Sequence, residues 1–451
     1  MKRYDTYKST GLNWFSEIPI GWEWRFLSQV AHEQNIKKPV GEMYPVMTLS
    51  YGEIKRKANI DAGLVPSNYD NYQMLYRGNI VLRLIDLQND HTSLRTGLVK
   101  ETGIITSAYT CIAPTENAAY VRYLLHSYDT RKVFYGYGGG VRQSIGYKDI
   151  RHLQVPVPPR EEQDQIVRYL DWQVSKINRL IAAKKQEIAL FEESKINHIA
   201  NVVLHGIRHH EHCIETTEFG SIPAHWQIIQ NKRLFCERVE HSETGTETLL
   251  SVSKHYGVKP SAELTEDEQF ATIKPALSLV GYKVVRKNDL VMNIMRARNG
   301  SYGISDYDGI VSPAYCIYYT TKECNVKYLH YFLRTPHVKS LFEAYSSGIA
   351  EHRRRLYPED FLRLKSVLPP IEEQDEIVEH IEQAIVKYDA GIANLRQQIA
   401  CLQDMKTRLI SDAVTGQVDV RDIEVPEYEV VEDTDTREEP EEDTEGEEYE
   451  E

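Results

Sequence analysis

The chain lacks most of what marks a membrane protein, a disulfide scaffold or an enzyme. No apolar run approaches the roughly 20 residues that cross a bilayer, and the first residues hold no signal-peptide stretch. Six cysteines (Cys111, Cys213, Cys236, Cys316, Cys324 and Cys401) are scattered with no C-x-x-C pair, which predicts reduced thiols in a cytoplasmic protein. There is no G-x-x-x-x-G-K-[ST] loop and hence no Walker-type ATP site; Gly138-Gly139-Gly140 reads as a plain loop. Sixteen histidines include no H-E-x-x-H, and His209-His210-Glu211-His212 reads as a polar linker rather than a metal site. No glycine-rich adenosylmethionine loop or N-P-P-[YF] motif occurs, and Asp86 is followed by no suitably spaced E-x-K. We expect no intrinsic catalysis, no bound metal and no cofactor on this chain.

The net charge of −14 argues at first against an anionic partner, but its distribution reverses that. Glu424 to Glu451 holds 16 acidic residues and one basic residue, Arg437, a net of −15. The remaining chain has 52 basic and 51 acidic residues, a net of +1, and so has room for local positive faces. A stretch so acidic repels itself and is expected to be a disordered tail.

What is present is a duplication. Pro158-Pro159-Arg160-Glu161-Glu162-Gln163-Asp164-Gln165-Ile166-Val167 returns as Pro369-Pro370-Ile371-Glu372-Glu373-Gln374-Asp375-Glu376-Ile377-Val378, with eight of ten positions identical. Ile18-Pro19…Trp22 is echoed by Ile222-Pro223…Trp226, Gly78-Asn79-Ile80-Val81-Leu82 by Asn288-Asp289-Leu290-Val291-Met292, and Gly103-Ile104-Ile105 by Gly309-Ile310-Val311. We also align Val121-Arg122-Tyr123-Leu124 with Val326-Lys327-Tyr328-Leu329. A doubled unit with internal pseudo-twofold symmetry suits a partner that is itself nearly twofold, and duplex DNA is the foremost one.

Each Pro-Pro opens a long helical pattern. Apolar residues recur at spacings of three and four, with Ile177, Ile181 and Ile188 in the first copy and Ile381, Tyr388, Ile392, Leu395, Ile399 and Leu402 in the second. That is a coiled-coil seam, on helices of about 65 Å each. The acidic pairs Glu161-Glu162 and Glu372-Glu373 suit a helix N-terminus. The stripes either pair antiparallel within the chain or parallel between two chains. Before each helix, short β-type runs between Gly, Asn and Asp turns predict a mixed α/β domain. The expected division is 1–158, a first globular domain; 159–206, a long helix; 207–369, a linker and second domain; 370–416, a second long helix; and 417–451, a C-terminal segment with the acidic tail.

Basic, aromatic-flanked loops stand at matching places in the two copies. The first copy offers Arg83, Gln88, Asn89, His91 and Arg95, then Tyr137, Arg142 and Lys148. The second offers Arg296, Arg298 and Asn299, then His352, Arg353, Arg354 and Arg355. Arginine forks fit guanine O6/N7 and carboxamides fit adenine N6/N7, while lysines more often grip phosphates. A single surface arginine signifies little. Three in a row, in register with a basic Gly-Tyr loop in the sister copy, point to DNA contact.

The Ile-Pro-x-x-Trp pairs, Arg83-Leu84-Ile85-Asp86-Leu87-Gln88-Asn89-Asp90, Gly309-Ile310-Val311-Ser312-Pro313-Ala314-Tyr315 and the doubled Pro-Pro-x-Glu-Glu-Gln together resemble the specificity subunit of type I restriction–modification systems. The resemblance runs from Tyr4 to about Val420 and leaves out the acidic tail. It implies an α+β protein: two mixed α/β target recognition domains in pseudo-twofold arrangement, separated by two long helices forming an antiparallel coiled coil. It implies a cytoplasmic, non-catalytic subunit in defence against foreign DNA, each domain reading one half of a bipartite duplex site. The divergent loops on a repeated scaffold make that site asymmetric, and the pseudo-dyad is expected to place its halves about one helical turn apart, roughly 34–36 Å. The implied partners are double-stranded DNA, two methyltransferase subunits that use S-adenosylmethionine, and two restriction/translocase subunits that use ATP and Mg2+, with no membrane. The competing possibilities are a duplicated coiled-coil adaptor that binds other proteins, and the recognition arm of a fused enzyme whose catalytic part was lost.

Overall fold

The computed structural model describes residues 2–12, 14–50, 52–57, 69, 71–85, 87, 94–137, 145–208, 212–254, 257–264, 278–348 and 354–432. Five helices organise them: α1 (Ala118–Thr130), α2 (Arg160–His205), α3 (Val326–Leu333), α4 (Pro336–Tyr345) and α5 (Ile371–Val414). The chain divides into two units, each built from a globular domain, half of α2 and half of α5. Unit 1 comprises residues 1–185 and 396–442, and unit 2 comprises residues 186–395 and 443–451.

Unit 1 holds a six-stranded sheet in the order Ala31–Glu33, Thr110–Pro114, Ile80–Leu82, Thr96–Leu98, Glu53–Arg56, Met47–Ser50. All neighbours are antiparallel except Thr96–Leu98 with Glu53–Arg56. Unit 2 repeats its centre as four strands, Phe235–Glu237, Tyr315–Thr320, Leu290–Asn293 and Tyr302–Ile304. The repeated Gly78-Asn79 and Asn288-Asp289 are turns before the central strands. Gly78 and Asn288 are left-handed at φ 92° and 73°, and each following side chain accepts a backbone N–H, from Tyr76 to Asn79 and from Arg286 to Asp289.

The repeated glycines Gly103 and Gly309 mark close backbone approaches. A Cβ would lie 2.8 Å from the Pro45 carbonyl oxygen in unit 1 and 2.3 Å from that of Thr248 in unit 2. The next residue in each strand, Ile104 or Ile310, donates its N–H to that same carbonyl at 2.9 or 2.8 Å, so the strand cannot back away without losing the bond. Gly309→Ala is expected to cost about 1–3 kcal/mol through this overpacking. A urea midpoint equal to that of the parent chain would show that the strands part freely.

The doubled Pro-Pro-x-Glu-Glu-Gln-Asp block is the hub of each unit. Trp22 donates its indole N–H to Glu162 at 3.1 Å, as Trp226 does to Glu373 at 3.0 Å. Gln163 caps the Pro158 carbonyl and accepts the Asn117 backbone N–H, and Gln374 does the same with Pro369 and Asn325. Asn117 and Asn325 N-cap α1 and α3 and donate their amides to Asp164 and Asp375. One turn on, buried Tyr120 directs its hydroxyl to the carbonyls of Pro156 and Val414, and Tyr328 to those of Val367 and Val203. Each hub therefore receives the C-terminal end of one long helix. This corrects the sequence alignment of α1 with α3: Tyr120, not Tyr123, matches Tyr328, because the cap and the buried hydroxyl fix the register three residues away.

The long helices have 46 and 44 residues and pack antiparallel in each unit. In unit 1, Lys406 donates to Asn178 at 3.1 Å while Gln165, earlier on α2, reaches the later Val420 carbonyl at 3.0 Å. In unit 2, Lys195 meets Asp389 at 2.6 Å while His198 meets the earlier His380. These contacts decide for pairing within the chain over a parallel dimer. Of the expected seam, Ile177, Ile181, Ile381, Ile392 and Leu395 are buried, and Ile188, Tyr388, Ile399 and Leu402 are half-buried.

The expectation of a disordered acidic tail from Glu424 onward fails for its first residues. Asn178 holds the Val431 carbonyl at 2.9 Å, Arg179 pairs with Glu429 at 3.2 Å and Lys100 bonds to Glu432. Partners on α2 and just past the strand Thr96–Leu98 outweigh the self-repulsion here; residues 433–451 lie outside the described residues.

Candidate nucleic-acid interface

In unit 2, the loop after the central strand Leu290–Asn293 closes into one 3-10 turn, Ala297–Asn299. Ala297 is fully buried and anchors the turn, and Gly300, left-handed at φ 93°, ends it. Arg296 and Asn299 are exposed and Arg298 is half-buried. Among the described residues, no carboxylate pairs with Arg296 or Arg298, so both guanidinium groups can take an anionic or acceptor-rich ligand.

Arg334, at the end of α3, supports this turn from beneath. Its guanidinium donates to the carbonyls of Tyr302 at 2.7 Å, Gly300 at 3.4 Å and Lys254. Burial lowers its pKa, and these carbonyls are its compensation. One half-buried fork thus ties the Lys254 loop to the Arg296–Asn299 loop and brings exposed Lys254 beside the predicted cations; the Cβ direction of Gly300 points at Lys254, 3.8 Å away. Sequence spacing gave no sign of Lys254, 42 positions before Arg296.

Arg95 is a correction. Far from facing a ligand, it is 0% exposed, donating to the carbonyls of Arg83 at 3.0 Å and Ile85 at 2.9 Å beside the buried Asp129. It clasps the two ends of the 83–95 loop, since the Arg83 backbone N–H also donates to the Arg95 carbonyl. Arg354 is a second correction: its guanidinium caps α4 by donating to the carbonyls of Glu343 at 3.1 Å and Ser346 at 3.0 Å. Arg355 is half-buried, and its backbone pairs with Ser347.

Of the remaining candidates, Arg83 is half-buried and Tyr137 and Lys148 are exposed. Gln88, Asn89, His91, Arg142, His352 and Arg353 lie outside the described residues. Among the described residues, no group of three or more His, Cys, Asp or Glu side chains could hold a metal, and no helix is long and apolar enough to cross a membrane.

Residues 19–190 match the family described as the type I restriction modification DNA specificity domain. The putative type I restriction enzyme MjaX specificity subunit of Methanocaldococcus jannaschii is 24% identical over 309 residues, 67% of this chain and 68% of that one. The type I restriction enzyme MjaVIII specificity subunit of the same organism is 21% identical over 296 residues, 62% of this chain and 65% of that one. The chain thus spans about two thirds of the length of these relatives. A solved structure concerned with complex assembly and conformational transition of the type I R-M system contains a chain of the same fold, with a TM-score of 0.60 at 15% identity, covering 89% of this chain and 99% of that chain. With its doubled hubs, paired helices and exposed cationic turn, the chain is similar to type I restriction–modification specificity subunits in sequence and fold, and its residues 19–190 match their DNA specificity domain.

Proposed function

We propose that the chain reads an asymmetric, bipartite duplex-DNA target, one tract per unit, and that the paired helices set the number of unread base pairs between the tracts. The observation that carries this is one hub built twice while the loops around it differ in sequence: unit 2 presents Lys254, Arg296, Arg298 and Asn299, whereas the matching stretch of the first copy reads Gln88-Asn89-Asp90-His91. A shared scaffold with unlike loops suits two unlike half-sites. In this reading the chain itself stays non-catalytic. It hands the address to two methyltransferase subunits, which methylate adenine N6 with S-adenosylmethionine, and to two restriction/translocase subunits driven by ATP and Mg2+.

Selection of bound duplexes from a random pool is expected to return two dissimilar tracts with a fixed gap. In that assay Arg298→Ala relaxes one position of a single tract, at a cost of about 1–3 kcal/mol, if the residue reads a base; if it grips phosphate, all sequences weaken alike and the salt slope falls by about 1. A chain without salt-dependent affinity for duplex DNA would be the protein-binding adaptor instead.

A further inference from the structure

We propose that His198 and His380 form a binding site for a late first-row divalent metal ion such as Ni2+, Cu2+ or Zn2+, linking the two long helices within unit 2. Both rings are half-buried between α2 and α5, with their Nε2 atoms 3.3 Å apart, centroids separated by 5.4 Å and planes tilted by 35°. With metal–nitrogen bonds of about 2.0–2.1 Å and a tetrahedral angle, two imidazole ligands stand about 3.3–3.4 Å apart. The helices therefore already hold the nitrogens at a ligand–ligand separation.

Without metal, one Nε2–H donates to the lone pair of the other ring. With metal, both Nε2 lone pairs point at the ion and each ring keeps its proton on Nδ1, a tautomer shift with no net proton released. Among the described residues, no third His, Cys, Asp or Glu side chain joins the pair, so water fills the other positions. Imidazole nitrogen favours the late first-row ions, Cu2+ above Ni2+ and Zn2+.

Cross-helix pairs fix the backbones on both sides. On one side Lys195 meets Asp389 at 2.6 Å and the Tyr388 hydroxyl meets Ser194 Oγ at 3.1 Å; on the other, Arg208, three residues past the end of α2, meets Glu376 of α5 at 2.7 Å. The scaffold itself does not require imidazoles here. The matching positions of unit 1, 211 residues away in each case, are Tyr169 and Leu409, packed into that unit's apolar core.

Calorimetric titration of the full chain with NiCl2 tests the site, in a background where His209, His210 and His212 are alanine so that the linker cluster cannot compete. We expect one tight equivalent of Ni2+ per chain. Loss of an outer partner of a metal ligand already costs about 10–100-fold in affinity, so His198→Leu and His380→Tyr should each weaken binding at least about tenfold. The double variant restores the apolar pair of unit 1; it should melt no lower than its parent and lose the tight equivalent. Cu2+ electron paramagnetic resonance on the parent chain reads the ligands directly, as a splitting from two imidazole nitrogens. Unchanged Ni2+ affinity in either single variant, no tight equivalent in the parent, or a Cu2+ spectrum without two nitrogens would each overturn the site.

Discussion

Replacing Arg95 by alanine is expected to destabilise unit 1 by about 3–5 kcal/mol, the range found when one member of a buried ion pair is removed. Arg95 is 0% exposed and Asp129 is 3% exposed, so neither reaches solvent once its partner is gone. The loss extends past charge, because the guanidinium also satisfies the Arg83 and Ile85 carbonyls at the start of the 83–95 loop. Urea denaturation followed by tryptophan fluorescence reads this directly, since Trp14, Trp22, Trp24 and Trp172 lie in unit 1 and only Trp226 in unit 2. The double change Arg95→Met/Asp129→Leu should recover most of the loss, as apolar replacements of buried ion pairs often do. An Arg95→Ala chain with the parent's stability but poorer DNA affinity would return Arg95 to the DNA interface.

Arg95 also shows where sequence reasoning ran out. It stands in a polar, basic segment and looks like its neighbours there; what assigns it to the interior is the Asp129 carboxylate, 34 positions away, which accepts the Arg95 backbone N–H at 2.8 Å. Arg354 misled for a similar reason, because the carbonyls it caps belong to the end of α4 and only the fold brings them within reach. The hubs and helices were legible because their signals are local: Pro-Pro before Glu-Glu-Gln, and apolar spacings of three and four. The α1 repeat was misaligned because Tyr120 and Tyr123 sit one turn apart, so both fit a helical pattern, and only the Asn117 and Asn325 caps separate them. The acidic tail was judged by composition, which cannot register that Gln165 and Asn178 hold the backbone carbonyls of Ile423 and Val431.

Helices α1 and α3 carry a buried histidine, His126, and a half-buried one, His330, that should make the protein acid-sensitive. With Asn117 aligned to Asn325, Arg122 and His126 of α1 fall opposite His330 and Arg334 of unit 2, the same two side-chain types in exchanged order. Burial, reinforced by Arg122 and Lys406, lowers the His126 pKa to about 3; burial, reinforced by Arg334, lowers that of His330 to about 4. Both folded values lie below the ordinary value of about 6.5, so below that pH the unfolded chain binds protons that the folded chain refuses. The stabilisation from keeping each ring neutral is whole above pH 6.5 and is lost as pH falls toward the folded values. By pH 5 each histidine costs about 2 kcal/mol relative to neutrality. Urea unfolding at pH 7 and pH 5, compared between the parent chain and His126→Gln or His330→Gln, isolates these contributions from the carboxylates, which titrate alike in all three. Each substitution should shrink the acid-induced loss by about the same 2 kcal/mol. If the loss is undiminished in both variants, the two rings are protonated in the folded chain and the low-dielectric sites assigned to them beside Arg122 and Arg334 are wet.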